Sequence, residues 1–212
     1  MEFFKTHKMF NISRLIFIIG VISILFKKDL YGLEVKSYSD TTSIGYYLGL
    51  LENQIGEMAP DWELADIDGN KYHLSEYKGK FVLLEFWAVG CGACIKSVKA
   101  INRLDSLYKD KGLIVIGIES AQKANEVQTI KFINDYDFKY LTLFEGKVVA
   151  ENYKVRAFPS VFLINKMGKI VYANIGSIYF DKSGNLIETD FGSMNENLHE
   201  LIKKGLENEE VF

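Results

Sequence analysis

The chain's apolar positions follow two periods, and the switches between them mark the elements. The run "KFVLLEFWA" (80–88) is apolar at nearly every position, the pattern of a strand buried on both faces. From Cys91 the period lengthens. Ile95, Val98, Ile101, Leu104 and Tyr108 recur every three or four residues, which predicts a helix that Gly112 ends. "LIVIGIES" (113–120) reads as a second buried strand, and Val127, Ile130, Ile133 and Tyr136 mark the inner face of a second helix. "YLTLFEG" (140–146) predicts a short strand and "KVVAENYKV" (147–155) a short helix or loop. "SVFLIN" (160–165) and "KIVYANIG" (169–176) are close enough in sequence to form an antiparallel hairpin.

Ahead of these elements, Asp68-Gly69 between two short alternating runs signals another hairpin. Behind them, the turn Asp181–Asn185 splits "SIYF" from "LIETDF", so 177–190 reads as a hairpin insertion. A last helix carries Leu198, Leu201, Ile202 and Leu206 on one side. Strands alternating with helices require crossovers and parallel pairing, while the late hairpin adds antiparallel strands. The expectation is one α/β domain over residues 56–208, a mixed central sheet flanked by helices with an N-terminal β-hairpin extension. Residues 34–55, largely polar, are expected to be a linker.

The N-terminus differs in kind. Lys5, Lys8 and Arg14 precede the apolar run Leu15 to Phe26, and Lys27-Lys28 follow it. A positive start before a short apolar core is the outline of a secretory signal. No clean small-x-small cleavage site follows, so residues 1–33 are expected to be a cleaved signal peptide or an uncleaved membrane anchor. A buried N-terminal helix is the alternative, and the order of charge before apolar run weighs against it. The expected location is extracytoplasmic, in periplasm or envelope, with membrane contact through residues 15–26.

The formal net charge of −3 over 212 residues, without a basic patch, gives no sign of nucleic-acid binding. The only two cysteines, Cys91 and Cys94, lie together in "FWAVGCGAC". Disulfides persist outside the cytosol, but a bridge between residues i and i+3 closes almost no loop and is a poor staple. A zinc site normally needs four ligands, and His7, His73 and His199 are scattered in sequence. Redox chemistry is the expectation, with a structural disulfide and a metal site, should His73 and His199 converge in space, as the alternatives. A thiol at a helix start meets unpaired N–H groups and the positive end of the dipole, which favour the thiolate. Cys91 is therefore expected to attack and Cys94, one turn on, to resolve the mixed disulfide.

Glu85 interrupts an otherwise dry strand. Desolvation there raises a carboxyl pKa, and the group could exchange a proton with Cys94. The bland alternative is a strand-end carboxylate, hydrated or paired with a lysine. Pro159 precedes a strand, where a cis bond fits, although the residues alone favour an ordinary trans proline at a loop end.

Several pieces occur in one family's order: "GEMAPDWELADIDGNKYHLSEYKGK", "FVLLEFWAVGCGAC", "LYKDKGLIVIGI", "NYKVRAFPSVFLINKMGKIV" and "NIG". Over about residues 56–176 the chain resembles the thioredoxin-fold thiol–disulfide oxidoreductases of the TlpA/ResA-like group, related to AhpC/TSA and redoxin domains. The resemblance implies a thioredoxin-like fold and a cis Pro159 facing the two sulfurs. It implies that Phe158 presents backbone to the substrate chain, that Glu85 is the buried carboxylate of this strand, and that Trp87 packs beneath the active-site loop. Trp87 as a plain core aromatic is the competing reading. Gly90 stands where the family usually has an aromatic residue, and Gly92-Ala93 lacks the common proline. Ser97 and Lys99 replace a usual Glu and Pro.

The implied function is an exported enzyme that exchanges disulfides with protein substrates, more as reductant than oxidant, recharged by an upstream thiol donor. It would act as a monomer, with no metal and no cofactor beyond the Cys91–Cys94 disulfide. A peroxiredoxin-like peroxidase is one alternative, although the Pro-x-x-x-Thr-x-x-Cys pattern is missing. A non-catalytic, redox-switched binding module is the other.

Overall fold

The computed structural model describes residues 43–120, 125–188 and 198–207. A five-stranded sheet runs in the order β5-β4-β3-β6-β7. β3 (Phe81–Trp87), β4 (Leu113–Glu119) and β5 (Leu141–Leu143) are parallel. β6 (Ser160–Ile164) and β7 (Ile170–Ile175) are antiparallel to their neighbours. The crossovers are α2 (Gly92–Tyr108) between β3 and β4, and α3 (Glu126–Tyr136) between β4 and β5. α4 (Lys147–Asn152) leads from β5 towards β6. The N-terminal hairpin is β1 (Glu63–Ala65) with β2 (Lys71–His73), turning through Gly69 at φ +82°. This is the mixed-sheet thioredoxin-like arrangement expected.

β3 lies at the centre of the sheet, and all seven of its residues are buried. Its alternation divides the core. Val82, Leu84 and Phe86 face one side, packing with Ile116, Ile118, Val149, Tyr153 and Phe162. Phe81 and Leu83 face the other, against Ala100, Ile101 and Leu104 of α2 and against Leu198, Leu201 and Ile202. Those last three belong to α5 (Leu198–Glu207). Two apolar layers, one on each face, explain why the strand has no polar periodicity.

Two local expectations are corrected. Residues 34–55 were expected to be linker, but 44–52 form a helix, α1 (Ile44–Glu52), capped by Ser43, whose Oγ accepts from the Tyr46 N–H. Leu48 and Leu51 are buried in the first core layer, at the i, i+3 spacing of one helical face. The inner face of α3 is also rotated from the one predicted. Thr129 and Phe132 are its buried residues, whereas Val127 is 74% and Tyr136 40% exposed. The cause is Phe132, whose ring stacks on Trp87 and so sets which side of the helix faces inward. The 177–190 stretch does contain a hairpin, β8 (Ile178–Phe180) paired with β9 (Leu186–Glu188), and residues 189–190 lie outside the described part. The segment 1–33 lies outside it too. Among the described residues no helix is long and apolar enough to cross a membrane.

Candidate active site

The chain leaves β3 at Trp87 and turns sharply before entering α2. The Cys91 N–H donates to the Ala88 carbonyl at 3.1 Å. Gly90 takes φ +83°, a left-handed conformation that a side chain disfavours, so the residue replacing the family's aromatic suits the turn seen here. Cys91 is then the N-cap of α2, and the Cys94 N–H donates to its Sγ at 3.1 Å. No acidic residue lies in the first turn to oppose negative charge on that sulfur. Cys91 and Cys94 are joined in a disulfide, with Cα atoms 5.3 Å apart. The sulfurs differ in access: Cys91 is half-buried and Cys94 is 0% exposed. Gly92 and Ala93 between them are exposed.

β6 is antiparallel to β3, so it begins where β3 ends. Ser160 pairs with Phe86, which brings Phe158 and Pro159 alongside the Trp87–Cys91 turn. The Phe158–Pro159 peptide bond is cis. The Pro159 carbonyl accepts from the Gly176 N–H at 3.0 Å, and Ser160 Oγ donates to the Ala157 carbonyl at 2.8 Å, fixing the segment at both ends. Phe158 and Cys91 both pack on the cluster of Trp87, Cys94 and Phe132. Trp87 stacks on Phe132 with centroids 5.4 Å apart and leans on Phe138 at 4.8 Å. It is thus a core aromatic that shares one apolar cluster with Cys94.

Glu85 lies on the same face of β3 as Leu83 and Trp87, between the layer under Ile101 and the cluster holding Cys94. It is 0% exposed. Its Oε2 accepts from the Tyr140 hydroxyl at 2.6 Å, and Oε1 has no partner among the described residues. Burial raises its pKa from 4.5 to about 8, only partly opposed by the Tyr140 hydrogen bond. The same burial, with the carboxylate alongside, pushes the Tyr140 phenol well above 10. The alternative of a hydrated or lysine-paired carboxylate does not hold.

The structure therefore brings Cys91, Cys94, Trp87, Phe158 and Pro159 together, with Glu85 behind them. The two histidines within the described residues stay outside this cluster. His73 faces Glu63 at 3.5 Å, and His199 bonds the Tyr108 hydroxyl at 2.6 Å. Among the described residues no three His, Cys, Asp or Glu side chains gather as metal ligands. Sequence reasoning missed Tyr140, Phe132 and the bonds made by two serines. Ser177 Oγ donates to the Ala93 carbonyl at 2.8 Å, and the Ile178 N–H donates to Ser97 Oγ at 3.0 Å. These two bonds tie the β8–β9 hairpin to the first turns of α2. The departure at Ser97 was visible in the sequence, but its partner 81 residues away was not.

The profile of the AhpC/TSA family matches residues 55–173, more than half of the chain. The chain belongs to that family. Within it, this member is 34% identical over 133 residues to the thiol-disulfide oxidoreductase ResA of Bacillus cereus, an alignment covering 62% of this chain and 76% of ResA. Among solved structures it is similar to the thioredoxin domain of a thiol-disulfide oxidoreductase from Bacteroides vulgatus. The identity there is 29%, the TM-score 0.54, and coverage is 58% of this chain and 89% of that one. It is also similar to the exposed lipoprotein thioredoxin of Streptococcus pneumoniae, at 32% identity and TM-score 0.50, covering 59% and 94%. With its paired cysteines and thioredoxin-like fold, this AhpC/TSA-family member is a thiol–disulfide oxidoreductase.

Proposed function

We propose that the enzyme is exported and reduces disulfides in other proteins, with Cys91 as nucleophile and Cys94 as resolving thiol. The observation that carries this reading is the asymmetry of the pair: one sulfur accessible at a helix start, held by an amide N–H, over a partner sealed from solvent. In the reduced enzyme the Cys91 thiolate attacks one sulfur of a substrate disulfide, and the other substrate sulfur leaves as a thiolate. Cys94 then gives up its proton, attacks Cys91 Sγ, and releases the second substrate thiolate. Two electrons pass to the substrate and the Cys91–Cys94 disulfide forms, to be reduced again by an upstream thiol donor.

Glu85 is the proton acceptor for Cys94 in this scheme. Its high pKa suits a group that takes and returns a proton near neutral pH. The substrate chain lies against the Phe158–Pro159 backbone, with Trp87 as the floor beneath the disulfide. The absence of a histidine between the cysteines favours the reducing direction, since nothing there stabilises the thiolate further. The charged and apolar order of residues 1–33 supports export.

Replacing Cys94 with Ser in whole cells tests the scheme. Cys91 should then accumulate mixed disulfides with substrate proteins, recovered in the extracytoplasmic fraction and released by dithiothreitol. Absence of covalent adducts, with partners retained non-covalently, makes the protein a binding module instead. Adducts found in the cytosol alone rule out export.

A further inference from the structure

The residue paired with Glu85 across the β3–β4 ladder is Gly117. Glycine in the middle of a buried strand weakens it and marks a close approach. Gly117 is not in a left-handed conformation, so no turn calls for it. A Cβ built there would stand 2.7 Å from Tyr140 Cε2 and 3.1 Å from Trp87 Nε1. The missing side chain is the space occupied by the Tyr140 ring. Tyr140 immediately precedes β5, whose Leu141 pairs with Ile116, so it starts one strand away from Glu85. By lying over Gly117 it reaches β3 and donates its hydroxyl proton to Glu85 Oε2 at 2.6 Å. Tyr140 is itself buried, and the other Glu85 oxygen, Oε1, is left without a partner among the described residues.

We infer that Tyr140 is a positioning residue that gives the two oxygens of Glu85 different roles: Oε2 is committed to the phenol, and Oε1 takes and returns the Cys94 proton. The inference rests on the disulfide-exchange reading of the cysteine pair. During resolution the Cys94 S–H proton passes to Glu85 Oε1, directly or through one water. The sulfur's electron pair forms the bond to Cys91 Sγ, and the substrate sulfur leaves with the electrons of the mixed disulfide. When the Cys91–Cys94 bond is next reduced, the proton returns to Cys94. Across the ladder β4 places Gly117 and β6 places Val161 opposite Glu85, and with the cysteines joined in a disulfide Tyr140 is the titratable group among the described residues that bears on it. A phenol O–H donated to a carboxylate favours the ionised form. Without it Glu85 gives up its proton less readily and accepts one from Cys94 more tightly.

The full chain carrying Tyr140→Phe tests this with two readouts. Carbon-13 NMR of the side-chain carboxyls, with the Glu85 signal assigned from Glu85→Gln, follows protonation against pH. Reaction of the reduced enzyme with 5,5′-dithiobis(2-nitrobenzoate) follows resolution as the second release of thionitrobenzoate. Tyr140→Phe should move the Glu85 midpoint up by about one pH unit, and the pH profile of the second release should move with it. Gly117→Ala, which displaces the ring, should shift the midpoint in the same direction. In the Glu85→Gln background, Tyr140→Phe should leave the profile where it was. An unshifted Glu85 midpoint in Tyr140→Phe, beside working exchange, overturns this inference alone and leaves Tyr140 as packing. A shifted midpoint beside a cysteine pair that releases no thionitrobenzoate overturns the exchange reading, and the proton-transfer role with it.

Discussion

At the scale of single residues, the most consequential observation is a carboxyl sealed from the solvent surface. Unfolded, Glu85 ionises near its ordinary 4.5; folded, it does so near about 8. Between those values the native state keeps a proton that the unfolded state has released. Stability therefore falls as pH rises through this window and levels off above about 8. The loss reaches about 3 kcal/mol at pH 7, from the interval between 4.5 and 7 at about 1.4 kcal/mol per pH unit. Glu85→Gln removes the titration while keeping the shape. Its unfolding midpoint in urea should match that of the parent near pH 4, rise above it by pH 7, and hold the gap above pH 8. A gap that stays constant with pH refutes the raised pKa of Glu85. The same variant should resolve mixed disulfides more slowly by about a hundredfold or more, the usual contribution of a positioned acid–base group. A residue that costs the fold stability while serving the chemistry proposed for it is an expected trade at an active site.

At the scale of elements, the β8–β9 hairpin is the feature with the least support of its own, since a two-stranded hairpin is marginal alone. It rests on α2 through Ser97, Ser177 and the Arg103 guanidinium, which lies 4.1 Å from the centre of the Phe180 ring. Ser97 and Ile178 are both buried, so Ser97→Ala leaves the Ile178 N–H without its acceptor. The expected cost is about 1–3 kcal/mol. Hydrogen exchange of the Ile178 amide should accelerate before that of the β3 amides, and protection equal to the parent's would show that the bond holds nothing. Sequence legibility divides along similar lines. β3, β4 and α2 were readable because burial on both faces and a 3.6-residue period leave unmistakable runs. α1 was missed because Ile44, Tyr47, Leu48 and Leu51, although correctly spaced, sit among polar and glycine residues. The inner face of α3 was misread because counting apolar positions gives Val127 and Phe132 equal weight, whereas a stacked ring on Trp87 decides the rotation. Glu85 stood out as an anomaly in its run, but Tyr140, 55 residues away, becomes its partner only through the strand order and the gap at Gly117.

At the scale of the whole molecule, topology gathers the site. Parallel β3 delivers Cys91 at its carboxyl end, and antiparallel β6 starts at that same end with Phe158 and Pro159. The order of strands therefore joins segments that lie about 65 residues apart into one surface. The direction in which this surface drives exchange is also a property of the whole fold, because it is the difference in stability between the oxidised and reduced molecules. A strong oxidant is one whose folding stabilises the reduced pair; a reductant is more stable with the disulfide closed. Here Cys94 is buried, Cys91 is half-buried, and the two residues between them include no histidine to stabilise the thiolate of the reduced pair. The oxidised protein should accordingly be the more stable form. A pair lying about 50 mV below an unstrained one corresponds to about 2 kcal/mol, at 1.4 kcal/mol per 30 mV. Urea unfolding of the two forms, at the same pH with and without dithiothreitol, should show the oxidised midpoint higher. Equilibration with glutathione should place the potential near the thioredoxin value of about −270 mV. A reduced form that outlasts the oxidised one, together with a potential near about −120 mV, makes the enzyme an oxidant and reverses the proposed flow of electrons.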